Sequence, residues 1–246
     1  MNRELLVPRI KDTVRICETS SMPRFIGFLT SAEAAEVAGA VKELSCKYEF
    51  FGGYEDAERL FFGVFPDWCE DRSSFWPVVG VTFTFRAQDK LSHRDFLGAL
   101  MSLGITRETV GDILVEEGRA VVFLNRDILS AVLDGIQKIG RVGVIAKEGV
   151  SLPLPGASIM TDITETVASL RLDSVVAALI KTSRSKAVTL IEEGLVSVNS
   201  LSVEKTTKTV THGDKITVRG YGKFVIESAL GRTKKDRIVL IAKKYT

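Results

Sequence analysis

The chain has 246 residues, of which 45% are hydrophobic and 26% are charged, and its formal net charge is +2. This length allows two or three small domains, and the composition is typical of a soluble globular protein. The apolar runs are shorter than the roughly 18–20 residues of a membrane span, and charges stand where a signal peptide needs its apolar run. We therefore expect a cytoplasmic protein, with the widely spaced Cys17, Cys46 and Cys69 as free thiols.

Residues 1–76 are predicted to form an N-terminal α/β domain. Capping and turn residues separate five segments of regular hydrophobic periodicity. The predicted helices cover Asn2 to about Cys17 and about Ala32–Leu44, and the predicted strands cover Phe25–Leu29, Lys47–Phe51 and Arg59–Phe65. The last two strands are expected to pair as a hairpin or near-hairpin.

Residues 77–147 are predicted to form a βαββαβ domain of the RRM-like or ferredoxin-like kind. Its first helix begins after Ser92, which has Asp95 three residues on as in a capping box, and ends at Gly104. The remaining predicted elements are the strands Val78–Phe85, Ile113–Val115, Ala120–Leu124 and Arg141–Ile145 and a helix over about Asp127–Ile139. This order also underlies the commonest single-stranded RNA-binding domain. The ring-bearing strand motif of that class is missing, because Val121–Phe123 offers one aromatic residue.

Residues 148–168 are predicted to be a linker with room for one strand, because prolines and glycines interrupt any periodic signal. Residues 169–246 predict two short amphipathic helices that lead into basic strands. The whole chain is thus expected to be an α+β protein of three small domains.

Basic residues stand at the start of the second C-terminal helix. Ser183 is a suitable N-cap and Gly194 a suitable end, so Arg184 and Lys186 fall in the first turn. The helix dipole disfavours cations there by about 0.3–1 kcal/mol each. An anion at the same place would meet backbone N–H groups, the dipole and two cationic side chains. The alternative interpretation is that both are solvated surface charges.

The charge distribution supports an anionic partner. Residues 171–246 hold 15 Lys+Arg and 7 Asp+Glu, a net charge of +8, whereas residues 1–170 have a net charge of −6. Such asymmetry indicates a polyanion, and a basic stripe is typical of nucleic-acid binding. An anionic membrane is disfavoured, because no amphipathic helix with large apolar residues accompanies the charges. The candidate RNA-binding residues are Arg171, Lys181, Ser183, Arg184, Lys186, Asn199, Lys205, Lys208 and Lys223, with Arg94 and Arg107 as further candidates in the middle domain.

An ordered series of motifs in residues 171–218 resembles the small RNA-binding domain first found in ribosomal protein S-four, called here the S-four domain. The matching motifs are Arg171-Leu-Asp173, Ser183-Arg184 with Ala187, Glu193-Gly194, Val196-Ser-Val-Asn199 and Gly213-Asp-Lys-Ile-Thr-Val218. One departure is Asn199-Ser200, where the family usually places Asn-Gly. Serine adopts positive φ less readily than glycine, so the turn type is open.

Motifs in the first two domains resemble the bacterial YlmH family. They are Phe51-Gly-Gly-Tyr54-Glu-Asp-Ala-Glu58, Leu91-Ser-His-Arg-Asp-Phe-Leu-Gly-Ala-Leu100, Leu103-Gly-Ile105 and Gly111-Asp-Ile113. Together the resemblances cover nearly the whole chain. They imply a cytoplasmic RNA-binding protein with the S-four domain last. They also imply a role on the large ribosomal subunit that carries peptidyl-tRNA after stalling, in ribosome quality control.

The residues favour a non-catalytic RNA-binding protein over two alternatives. One alternative is an rRNA- or tRNA-modifying enzyme that uses the S-four domain as its RNA handle, and the other is a protein–protein adaptor that binds through acidic residues 1–170. The chain lacks a G-x-G-x-x-G loop, a visible nucleophile–base pair, and the motifs that would make His93-Arg94-Asp95 part of a kinase. We therefore expect structured RNA as partner, no cofactor, metal or small-molecule substrate, and a monomer.

Overall fold

A computed structural model describes residues 6–42, 44, 46–156, 160–232 and 237–245. The fold is α+β, as predicted, and divides into two compact units, Met1–Ala157 and Ser158–Thr246, called here unit 1 and unit 2. The predicted helix start at Asn2 lies outside the described residues.

The first part of unit 1 is a three-stranded sheet with two helices. In chain order its elements are α1 (Leu6–Ser20), β1 (Arg24–Leu29), α2 (Ser31–Val41), β2 (Lys47–Phe51) and β3 (Leu60–Phe65). The strands are antiparallel in the order β1-β3-β2. Helix α2 begins with a capping box, in which the Thr30 hydroxyl accepts the Glu33 N–H and the Glu33 carboxylate accepts the Thr30 N–H. These local signals explain why the predicted elements lie within a few residues of the observed ones.

The second part of unit 1 has the predicted βαββαβ order. Its main elements are β4 (Val78–Thr84), α3 (His93–Ser102), β5 (Val110–Glu116), β6 (Arg119–Asn125), α4 (Leu129–Gly135), a small hairpin of β7 (Lys138–Ile139) and β8 (Val142–Gly143), and β9 (Ile145–Glu148). The antiparallel sheet has the order β5-β6-β4-β9, which is the split-βαβ topology.

Two predicted boundaries in this part were wrong. The last strand of the sheet is Ile145–Glu148 rather than Arg141–Ile145, and the second helix stops at Gly135 rather than near Ile139. The side chains of Ile136 and Ile139 are 3% and 2% exposed and join the core. The chain therefore leaves the helix early and forms the β7–β8 hairpin, which delays the start of β9.

The two faces of the βαββαβ sheet are both covered. One face packs against α3 and α4, where Phe83 contacts Phe96. On the other face Val121 and Phe123 pack against Phe28 and Phe61 of the preceding three-stranded part. Residues of β6 alternate between the two faces, because successive side chains of a strand point to opposite sides of the sheet. The sheet is thus an internal layer of unit 1.

A glycine and a tyrosine complete this covered face. Tyr54 stacks on Phe123 with ring centroids 4.8 Å apart and planes 19° from parallel. Gly53 has φ +100°, and a Cβ there would lie 2.3 Å from Cδ1 of Phe123. Only glycine combines this backbone conformation with so close an approach.

Unit 2 is a six-stranded antiparallel sheet with two helices. Its elements are β10 (Met160–Val167), α5 (Leu172–Leu179), α6 (Arg184–Glu192), β11 (Val196–Val198), β12 (Leu201–Ser202), β13 (Lys215–Val218), β14 (Gly222–Arg232) and β15 (Ile238–Tyr245). The sheet order is β10-β15-β14-β13-β11-β12. Strand β10, within the segment predicted as a linker with room for one strand, pairs with β15 along its full length.

The turn between β11 and β12 shows how the departure from Asn-Gly is tolerated. Asn199 and Ser200 have φ of +52° and +65°, as in a type I′ turn. The Asn199 side chain donates to Asp214 Oδ1 (2.8 Å) and accepts the Lys215 N–H (2.9 Å). These hydrogen bonds tie the turn to the start of β13. Ser200 adopts positive φ at the position where the family usually has glycine.

Candidate RNA-binding site

Two arginines from different helix starts in unit 2 converge on one buried carboxylate. Arg171 is the N-cap of α5, and its guanidinium donates to Asp173 from Nε (3.2 Å) and Nη2 (2.9 Å). Arg184, the first residue of α6, donates to Asp173 Oδ2 from Nε (3.1 Å) and Nη2 (2.8 Å). The Asp173 side chain is 3% exposed, whereas those of Arg171 and Arg184 are 41% and 55% exposed. We call Arg171, Asp173 and Arg184 the arginine cradle.

The buried carboxylate orders both guanidinium groups. Burial by itself raises the pKa of Asp173, but hydrogen bonds from Arg171, Arg184 and the Ser174 N–H outweigh it, so this pKa is lowered. The same hydrogen bonding raises the pKa of Arg171. The cradle therefore contains one anion and two cations, and its net positive charge faces solvent on fixed arginine planes suited to bidentate phosphate contacts.

A loop before β13 brings two lysines to the same end of α5. The carbonyls of Lys208 and Thr206 accept the N–H groups of Leu172 (2.8 Å) and Asp173 (3.1 Å). The backbone of Arg171 also forms an isolated antiparallel β-bridge with that of Thr209. Lys205 is exposed and Lys208 is half-buried, and both belong to this loop. The structure thus places Arg171, Arg184, Lys205 and Lys208 around the first turn of α5, although Lys208 lies 37 positions after Arg171 in the sequence.

The start of α6 has the predicted geometry. The Ser183 hydroxyl accepts the Lys186 N–H (3.2 Å), which makes Ser183 the N-cap, and Lys186 is exposed. Lys181, two residues before this cap, has φ +52° and lies 3.9 Å from Glu165 through its Nζ. Cations at this helix start are thus partly balanced by Asp173 and Glu165.

The other candidate residues lie apart from the arginine cradle. Asn199 is used in the β11–β12 turn, and Lys223 lies on β14 with its Nζ 5.9 Å from the ring centre of Tyr245. In unit 1, Arg94 is exposed in the first turn of α3. Arg107 donates to the carbonyls of Val110 and Gly111, and burial lowers its pKa, so its guanidinium is used within unit 1.

A second buried carboxylate, in unit 1, explains the family motif around Tyr54. Asp112 accepts the Tyr54 hydroxyl (2.8 Å) and the N–H groups of Glu58 (2.7 Å) and Arg59 (3.1 Å). The Arg59 guanidinium donates to the carbonyls of Val110, Phe28 and Arg107. This network joins the three-stranded part to the βαββαβ part, so we assign it a structural role.

Within the described ranges, the side chains form no group of three or more His, Cys, Asp or Glu placed to hold a metal ion. Over the same part of the chain, no helix is both long and apolar enough to cross a membrane.

Comparison with known proteins identifies the family. The chain is 31% identical over 230 residues to Ribosome-associated protein quality control protein P2 of Bacillus subtilis (strain 168), which covers 91% of this chain and 88% of that protein. Residues 83–150 match the family described as "Putative RNA-binding domain in YlmH", and residues 170–216 match the "S4 domain". The chain belongs to the YlmH family. Both resemblances stated from the sequence are confirmed.

A solved relative supports the fold of a YlmH-family chain. Cell division protein ylmH from Streptococcus pneumoniae is 24% identical, with a TM-score of 0.53, and the match covers 61% of this chain and 92% of that one. At this identity the likeness concerns the fold alone. The S-four match at residues 170–216 contains the whole arginine cradle and the loop with Lys205 and Lys208.

Sequence reasoning missed the part played by Asp173 in the cradle. The sequence shows Asp173 only as a member of the Arg171-Leu-Asp173 motif. An acidic residue in the first turn of α5 was a usable signal, because a carboxylate there accepts local N–H groups. The contact to Arg184 depends on how the two helices pack.

Proposed function

We propose that this protein binds rRNA or tRNA without altering it, and that the arginine cradle is its main phosphate contact. The ordering of Arg171 and Arg184 by the buried Asp173 carries this proposal. A preorganised guanidinium pair loses little side-chain entropy when it binds a phosphate. Lys186, Lys205 and Lys208 add positive charge around the cradle, which suits structured RNA that is recognised by shape, phosphate and 2′-OH contacts.

We further propose that the bound RNA belongs to the large ribosomal subunit or its tRNA, during quality control of stalled ribosomes in the cytoplasm. The support is the Bacillus subtilis relative, whose name describes a ribosome-associated quality control protein. The +8 net charge of residues 171–246 fits an rRNA surface.

The decisive experiment is sedimentation of the full chain with purified large ribosomal subunits. We expect wild-type protein to co-sediment, and Arg184→Ala to weaken binding by about tenfold or more, because it removes a charge-assisted contact. Arg184→Ala also takes two donors from Asp173, so Lys186→Ala serves as a second variant that leaves the cradle intact. Unchanged binding by Arg184→Ala at low salt would overturn the cradle as the contact, and unchanged binding by Lys186→Ala would remove only this lysine from the contact surface.

A control for the non-catalytic part of the proposal uses RNA recovered from the same incubation. Mass spectrometry of its nucleosides, with and without an added methyl donor, is expected to show no new modified base. A new base would favour the RNA-modifying enzyme instead. Crosslinking in cells followed by sequencing of the attached RNA would then identify which RNA is held.

A further inference from the structure

One face of the sheet of unit 2 is covered by α5 and α6, and the other face does not contact these helices. The core members Phe224, Ile226, Leu240 and Ala242 face α5 and α6. Side chains alternate along a strand, so the neighbours of these residues point to the opposite face. Those neighbours are Lys223, Val225, Val239, Ile241, Lys243 and Tyr245, and every one of them is partly exposed.

A tyrosine and a lysine lie together at one end of this opposite face, and the turn that leads into β14 adds a second tyrosine and an arginine. Lys223 and Tyr245 lie side by side, since Phe224 pairs with Lys244 and the Lys223 Nζ is 5.9 Å from the Tyr245 ring centre. Tyr221, 42% exposed, precedes the first residue of β14, and the exposed Arg219 lies in the same turn. We call Arg219, Tyr221, Lys223 and Tyr245 the tyrosine face.

The tyrosine face and the arginine cradle lie toward opposite ends of α6. The cradle contains Arg184, the first residue of that helix. The Arg219 N–H donates to the carbonyl of Leu195, which follows the helix C-terminus. Nine helical residues rise about 13 Å. One nucleic acid can therefore touch both surfaces only if it extends beyond the segment held in the cradle.

The βαββαβ sheet and the sheet of unit 2 differ in the exposure of their aromatic residues. In the βαββαβ sheet the ring of Phe123 is 1% exposed beneath Tyr54, so it is closed to a nucleotide. In unit 2, Tyr221 is 42% exposed two residues after the exposed Arg219, and Tyr245 is partly exposed beside Lys223. Exposed rings beside cations are the features on which unpaired bases stack while their phosphates are neutralised.

We propose that the tyrosine face binds unpaired nucleotides that flank the structured RNA held in the arginine cradle. This inference rests on the proposed function and adds single-stranded RNA as the partner of a second surface. Charge complementarity favours RNA over a protein partner, since the surface lies in a region whose net charge is +8.

The test compares two RNA probes with the full chain. One is a hairpin, and the other is the same hairpin with a short unpaired flank that carries 2-aminopurine, whose fluorescence falls when it stacks. We expect wild-type protein to bind the flanked hairpin more tightly and to quench its fluorescence. Tyr221→Ala should weaken binding of the flanked hairpin by about fivefold or more and reduce quenching, with binding of the plain hairpin unchanged.

The matched variant Tyr221→Phe keeps the ring and should retain the quenching, which separates stacking from loss of the hydroxyl. Arg184→Ala should weaken both probes. Equal affinity of wild type and Tyr221→Ala for the flanked hairpin, with Arg184→Ala still impaired, would overturn the tyrosine face alone. Failure of wild type to bind either probe would overturn the proposed function. Binding of a ribosomal protein that depends on Tyr221, with RNA binding independent of it, would overturn RNA as the occupant.

Discussion

The Oδ2 atom of Asp173 lies 2.8 Å from Nη2 of Arg184, a residue 11 positions later in the next helix. The same carboxylate binds Arg171, so one buried anion fixes the starts of α5 and α6 relative to each other. The Asp173 carboxylate thus links the packing of the two helices to the position of the two arginines.

Asp173→Asn is expected to destabilise unit 2 by about 1–3 kcal/mol, because the neutral amide loses charge-assisted bonds and turns an N–H₂ group toward one arginine. Amide exchange of peptides from α5 and α6 would measure this loss. Glu204→Gln, at an exposed position before the Lys205 loop, is the control and should leave exchange unchanged. Equal protection in Asp173→Asn and wild type would contradict an ordering role for the carboxylate.

The stability difference between wild type and Asp173→Asn should depend on pH. The pKa of Asp173 is lowered from its ordinary value of 3.8, so its contribution is complete above that value and is lost as the pH falls through the folded pKa. The difference in free energy of unfolding between the two proteins is thus expected to be large at about pH 7 and smaller at about pH 3. Urea unfolding at both pH values would test this, and a gap that widens in acid would contradict the assigned shift.

Tyr54→Phe is expected to destabilise unit 1 by about 1–3 kcal/mol, because it removes one of the donors to the buried carboxylate of Asp112. Tyr48→Phe is the matched control, since the Tyr48 ring packs against Phe50 and Phe62, and its cost should be about 0.5 kcal/mol or less. Thermal unfolding would measure both. RNA affinity should remain unchanged in each, and a selective loss of affinity in Tyr54→Phe would argue against a purely structural network.

Two glycine substitutions should act in opposite directions. Gly53→Ala is expected to cost at least about 2 kcal/mol, because φ is +100° and the new Cβ would meet the Phe123 ring. Gly39→Ala lies in α2, and outside the backbone of its own helix turn and its chain neighbours no atom lies within 4 Å of the new Cβ, so it should gain about 0.5–1 kcal/mol. Chemical denaturation would report both changes, and similar effects of the two would contradict the packing described around Gly53.

Lys205→Ala should weaken RNA binding in a salt-dependent way. If Lys205 neutralises one phosphate, the slope of log K against log salt concentration should fall in magnitude by about one. Lys11→Ala, an exposed lysine of α1, is the control and should keep the wild-type slope. Affinity measured over a salt series by fluorescence anisotropy would show the difference, and an unchanged slope for Lys205→Ala would remove this loop from the contact surface.

Local signals account for what the sequence predicted well. The caps at Thr30, Ser92 and Ser183 lie within three residues of their partners, so each helix start could be placed from neighbouring residues. The βαββαβ order followed from hydrophobic periodicity in the same way. The start of β9 could not be placed, because the segments around Arg141 and Ile145 have similar patterns and pairing with Val81–Thr84 decides between them.

The long-range contacts of both carboxylates were beyond the reach of sequence reasoning. Asp112 and Tyr54 are 58 residues apart, and nothing local links them. The sequence predicted two of the three residues of the cradle. Arg171 and Arg184 follow from the position of their charges and from the S-four resemblance, while their common partner Asp173 depends on helix packing. The roles of Asn199 and Arg107 within the fold likewise depend on partners that the fold brings close.

The ring of Tyr54 over Phe123 also bears on how the protein can be divided for study. A fragment that starts at residue 77 would lack Phe28, Tyr54 and Phe61, so the sheet surface around Val121 and Phe123 would face water. Such a surface promotes self-association and offers an aromatic ring to any nucleic acid. RNA binding by that fragment would therefore include a contribution from the newly exposed surface, and dissection of the chain should keep residues 6–156 together.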